Sequence, residues 1–209
     1  MKGATDSDRR ESSVPKVKGL SDTQVVHPNE TCSNKENRQA EPMRPPRHAA
    51  DPTMTAVHKI ISGGQTGVDR AALDAAIELG ITCDGWCPKG RASEQGPIPD
   101  HYPLTETPSA DPAQRTEWNV RDAEATLIIA QGKLTGGAAL TQRLATSLQK
   151  PCLVIDPAEA TSAATVRAWL NEHAVRTLNV AGPRASTDPD IYELALGLLR
   201  TVLAGDAKR

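Results

Sequence analysis

The sequence predicts an α/β protein with a mainly parallel sheet of about five strands, and three observations carry that reading. Five short apolar runs alternate with segments of helical periodicity, the pattern of strands joined by crossover helices. The first run holds Ile60 and Ile61 side by side, as strands covered on both faces do. Glycine-rich turns follow the first, third and fifth runs, which a parallel sheet brings to one edge, at the carboxyl ends of its strands.

Composition divides the 209 residues unevenly. Residues 1–55 carry Pro15, Pro28, Pro42, Pro45, Pro46 and Pro52 among mixed charges, with almost no aliphatic run. Such a segment cannot bury enough apolar surface to offset the entropy of ordering it, so a disordered N-terminal extension is expected. Met54 stands just before the first strand as an alternative start. Residues 56–205 are expected to form one ligand-binding domain, a common size for a single core. The formal charge of −2 gives no reason to expect a nucleic-acid partner. The first residues fit neither a secretory signal nor a transit peptide, and no run approaches transmembrane length. Four cysteines in a chain this long do not read as a disulfide framework. A cytoplasmic protein with no membrane partner is the expectation.

Each element has its own justification. Strand one is expected over 57–62, and Ser62-Gly63-Gly64-Gln65-Thr66-Gly67 turns the chain into a helix over 67–79. Thr66 and Asp69 have the spacing of a capping box, the many alanines allow close approach to the sheet, and Gly80 is the stop. A second strand over 81–86 ends at Cys87-Pro88-Lys89-Gly90-Arg91. A long proline-studded segment follows, of the kind that is usually functional when it lies inside a compact domain. Helices are expected over 113–123, 138–148, 165–173 and 189–203, and strands over 126–130, 152–155 and 177–181. In the first of these helices Glu117 and Arg121 have the spacing of a favourable pair.

The first glycine turn is neither a Walker A loop nor the dinucleotide fingerprint. Its backbone N–H groups and the helix dipole would suit a phosphate, and a tight turn requiring positive φ is the structural alternative. Thr135-Gly136-Gly137 repeats the arrangement after the third strand. Lys89, Arg91, Arg115, Arg121 and Arg184 fall in or beside segments at the expected ligand edge, with Arg121 assigned to Glu117. Trp86 and Trp118 have the shape to stack on a heterocycle or to fill core. Cys83 and Cys87 lack zinc spacing, so no metal site is expected. Cys87 beside Lys89 and Arg91 reads either as an activated thiol or as a buried inert one. No nucleophile, base and orienting acid stand at readable spacing, so no catalytic residue is assigned.

With these residues in view, the chain resembles the molybdenum carrier family, Rossmann-like proteins of the wider YpsA-type (SLOG) group that includes the cytokinin-activating phosphoribohydrolases. The matching blocks begin with Lys59-Ile60-Ile61-Ser62-Gly63-Gly64-Gln65-Thr66-Gly67-Val68-Asp69-Arg70 and Gly85-Trp86-Cys87-Pro88-Lys89-Gly90-Arg91. Tyr102-Pro103-Leu104, Arg115-Thr116-Glu117-Trp118-Asn119, Leu134-Thr135-Gly136-Gly137 and Gly182-Pro183-Arg184-Ala185-Ser186 follow in order. The resemblance implies a Rossmann-like three-layer sandwich and a homo-oligomer, a tetramer, that binds the molybdenum cofactor, a phosphorylated pterin. The implied role is to store or carry this cofactor without chemical turnover, handing it to molybdoenzymes or receiving it from cofactor-biosynthesis proteins. The expected ligand contacts are Gly63, Gly64, Gln65, Thr66, Gly67, Thr135, Gly136 and Gly137 in the glycine turns, with Trp86, Lys89, Gly90, Arg91 and Arg184 added from their position at the same edge. Kinship to the phosphoribohydrolases implies a rival role, cleavage of the N-glycosidic bond of a nucleoside monophosphate, and a nucleotide-derivative sensor would use the same site. Those hydrolases place a glutamate shortly after the glycine pair, whereas 138–143 here contains no acid.

Overall fold

The computed structural model describes residues 57–204, so the extension expected over 1–55 lies outside the described residues. The main sheet is parallel throughout and has five strands: β1 (Lys59–Ile61), β2 (Thr82–Asp84), β7 (Ala125–Ile129), β8 (Cys152–Ile155) and β9 (Thr177–Ala181). Their spatial order is β2-β1-β9-β7-β8, with Ile60 opposite Cys83 and Leu178, and Leu127 opposite Leu153 and Val180. This is the expected Rossmann-like α/β layout.

Five helices cover the sheet: α1 (Val68–Leu79), α2 (Pro112–Asp122), α3 (Gly136–Ser147), α4 (Ser162–Glu172) and α5 (Ile191–Leu203). Strand β7 is buried along its whole length, and its side chains alternate between two layers. Leu127 and Ile129 join a large cluster with Ala72, Ala75 and Ala76 of α1, Val166 of α4 and Leu199 of α5. Ile128 and Ala130 pack instead with Ala138 of α3. The alanine stripe of α1 lets α5 lie close beside it, as the small side chains predict.

The proline-rich segment between β2 and α2 contains four strands of two residues each: β3 (Trp86–Cys87), β4 (Ala92–Ser93), β5 (Gly96–Pro97) and β6 (Thr105–Glu106). β3 pairs with β6 in parallel, and β4 with β5 antiparallel. They are too short to leave a periodic signal. A small cluster of Leu73, Cys87, Ile98, Tyr102 and Leu104 pins the segment to α1. Arg91 organises it from within: its guanidinium donates to the carbonyls of Ile98, Pro99, Tyr102 and Leu104 at 2.8–3.1 Å.

The structure corrects or decides four local expectations. The N-cap of α1 is Gly67, not Thr66, whose hydroxyl is drawn away to Glu94 and to the amide of Ala185. Arg121 pairs with its neighbour Asp122 at 2.7 Å rather than with Glu117. Cys87 is fully buried, and burial raises its thiol above the usual range, which selects the inert alternative. Helix α3 begins at Gly136, so both glycines of the second turn belong to its first turn.

Candidate functional site

The sheet order explains where a crevice opens. From β1 the chain enters α1, which packs with α5 on one face; from β7 it enters α3, which packs with α2 on the other. The loops leaving these strands diverge, and β9 lies between them. A cavity of about 550 Å³ sits at this edge, lined by Gln65 after β1, residues 130–131 and 133–138 after β7, residues 181–184 and 186–189 after β9, and Arg115 and Thr116 from α2.

The two glycine turns meet this cavity differently. In the first, Gln65 N donates to the Asp69 carboxylate, Thr66 N to the Gln65 side chain, and Val68 N to the Pro183 carbonyl. Gly63 lies beneath Arg115, where a Cβ would collide with the guanidinium. Gly67 has φ 75°, and its Cβ position is 2.5 Å from the Pro183 carbonyl, so glycine is required for both conformation and close approach. In the second turn, Thr135 places no side-chain oxygen on the helix amides, and the bond from Ala139 N to the Thr135 carbonyl is 3.3 Å long. The amides of Gly136, Gly137 and Ala138 precede it in the first turn of a 12-residue helix whose positive end faces the cavity.

Charge on the wall is mixed. Arg115 and Asp69 form a shielded pair at 2.9 Å, their side chains 16 % and 5 % exposed. Burial raises the Asp69 carboxyl, and the opposing pull comes chiefly from Arg115. Arg115 Nε is buried without a hydrogen-bond partner among the described residues. Lys133, Arg184 and Asp188 complete the charged lining.

Of the residues the sequence singled out, the cavity brings together Gln65, Arg115, Thr135, Gly136, Gly137 and Arg184. Gly64 packs on Ile98 and Leu104, and Thr66 and Gly67 join the turn to the 183–186 loop. Trp86 stands edge-on to Trp118 at 4.6 Å, donates to Asp122, and borders a separate cavity of about 130 Å³. Lys89 is exposed, Gly90 donates to Glu106, and Arg91 is committed to the four carbonyls above. Gln131, Lys133, Thr141 and Asp188 line the cavity without having been assigned to it; only Lys133, beside Gly132 after an apolar run, carried a local signal. Among the described residues no group of three or more His, Cys, Asp or Glu could hold a metal ion, and no helix is long and apolar enough to cross a membrane.

The fold and its crevice define a Rossmann-like α/β protein with a cavity at the carboxyl edge of a parallel sheet. The chain belongs to the circularly permutated YpsA SLOG family, whose model matches residues 60–203. It is similar to the crystal structure of a "Putative molybdenum carrier protein" from Syntrophus aciditrophicus SB, with 49% sequence identity and a TM-score of 0.69. That match covers 71% of this chain and 96% of the other. No curated protein matches the chain.

Proposed function

We propose that this protein binds the molybdenum cofactor in the 550 Å³ cavity and holds it for transfer without turnover. The observation that carries the reading is the N-terminus of α3, with Thr135 leaving its first amides uncapped, facing a cavity that also presents Lys133 and Arg184. A terminal phosphate would sit against those amides, where the helix dipole and the two cations complement its charge. The Arg115 Nε proton, buried without a partner among the described residues, fits a polar ligand in the cavity that Arg115 lines. The volume suits a small phosphorylated heterocycle, and the name of the 49% identical relative supports the choice of this one. Assembly into a tetramer belongs to the same reading.

Protein purified from a host that makes the cofactor should carry it through native mass spectrometry, which also reports the oligomer. Lys133→Ala should weaken binding about tenfold, as loss of one charged contact implies, with little change in thermal stability. Cofactor-free protein from that host, and no affinity on titration, would refute the proposal. One observation favours a second reading: Asp69 lines the cavity with its carboxyl raised by burial, as a proton-transferring acid would be. Release of free base from a panel of nucleoside monophosphates would move the function to N-glycosidic cleavage.

A further inference from the structure

The turn between β4 and β5 is held to the body by polar contacts of Ser93, Glu94 and Gln95. Glu94 N donates to the Gln65 side chain at 3.1 Å, while Arg70 donates to Ser93 Oγ and Gln95 Oε1, both at 3.2 Å. Residues 92–97 bury no apolar side chain; Ile98 is the first to enter a core cluster. The turn therefore rests on hydrogen bonds that exchange readily with water or ligand.

Its centre is the Glu94 carboxylate, on a side chain only 15 % exposed. Oε1 accepts from Thr66 Oγ1 and, at 3.1 Å, from Ser186 N; Oε2 accepts from Ser186 Oγ; Arg184 Nε stands 3.8 Å from Oε2. Two hydroxyls, a backbone amide and a guanidinium thus converge on one anion from the loops after β1 and β9. Desolvation raises the Glu94 carboxyl, but the bonds from Ser186 and Thr66, with Arg184 nearby, outweigh it and hold the group below its ordinary range. Negative charge is favoured at this point. The same donor set complements a tetrahedral oxyanion, and Arg184 and Ser186 also line the large cavity.

We propose that the Glu94 carboxylate occupies, from within the chain, a subsite for a phosphate- or sulfate-like oxyanion formed by Thr66, Arg184 and Ser186. An anionic ligand enters it by displacing the β4–β5 turn. The carboxylate acts as a tethered competitor, so the apparent affinity for a free anion is lowered by the fraction of molecules in which the turn is closed. This subsite shares Arg184 with the phosphate position at the α3 N-terminus, but its other donors, Thr66 and Ser186, are separate from that helix end, and it does not depend on the cofactor reading.

Inorganic sulfate is a suitable probe, because it keeps its charge near neutral pH and carries no pterin. The full chain is titrated with sulfate against chloride at matched ionic strength, following the Ser186 amide by NMR. With the turn closed in about nine molecules of ten, Glu94→Ala binds sulfate about tenfold more tightly than the wild type. Adding Arg184→Ala to that variant removes the gain. Glu94→Gln shows a smaller gain, since the amide keeps an acceptor oxygen but not the charge. Unchanged or weaker sulfate binding in Glu94→Ala, or a gain that survives Arg184→Ala, overturns the proposal. If Glu94→Ala does not fold, Glu94→Gln decides alone, and no gain there overturns it equally. Failure of this test leaves cofactor binding untouched, and absence of cofactor leaves the sulfate result untouched.

Discussion

The turns at 63–67 and 135–137 share one sequence signature, an apolar run, paired glycines and a helix, yet they have different structural fates. The first is closed upon itself: Asp69 and the Gln65 side chain accept the amides of Gln65 and Thr66, the Pro183 carbonyl accepts that of Val68 at the start of α1, and Gly67 fits tightly against Pro183. The second is open, with nothing within 4 Å of a Cβ added at Gly136 or Gly137 and no side-chain cap on α3. Paired glycines after a strand therefore mark a close approach of backbone in one case and an accessible helix end in the other. Which of these applies depends on what packs against the turn.

The sharpest way to break the contrast is to open the first turn. Arg115→Ala leaves Asp69 buried without its partner and should cost about 3–5 kcal/mol of stability at neutral pH. The sign of the pH dependence follows from the Asp69 carboxyl, which burial raises and Arg115 lowers. Removing Arg115 raises it further, so the folded variant binds a proton more readily than the unfolded chain. That contribution is fully present at acid pH and is lost as pH rises through the folded-state pKa. The deficit relative to wild type in denaturant melts should accordingly be smaller near pH 5 than at pH 7.5; an equal deficit would deny Asp69 its assigned part.

A smaller loss tests the tight fit itself. Gly67→Ala combines positive φ with a Cβ 2.5 Å from a carbonyl oxygen, and about 2–4 kcal/mol is expected, read as a lower thermal midpoint. The smallest effect belongs to the open turn. Gly137→Ala meets nothing within 4 Å and replaces glycine in a helix, so stability should stay level or rise by up to about 1 kcal/mol. A loss matching that of Gly67→Ala would erase the distinction between the turns.

Much of the fold was legible because it rests on periodicity. Strands β7, β8 and β9 and helix α1 lie within about two residues of their expected bounds, since each apolar run or stripe faces a core layer. The strands of the 85–109 segment were not legible, because pairs of two residues have no period to read. The site was legible only in outline. Gly136 and Arg184 reach the cavity, but the Asp69–Arg115 pair joins residues 46 apart, and the Glu94–Ser186 contact joins residues 92 apart.

By itself, the order of apolar runs, helical stripes and glycine turns determined a parallel α/β sheet and the edge at which its loops converge. Local sequence is sufficient there, because burial of one face or stripe is a property of consecutive residues. Only the tertiary structure decided that the Gln65 and Thr66 amides are satisfied internally, that Arg91 is held by carbonyls, and that the α3 end stays open. Those outcomes depend on which donor and acceptor the packed chain brings within 3 Å, and residues remote in sequence supply the partners.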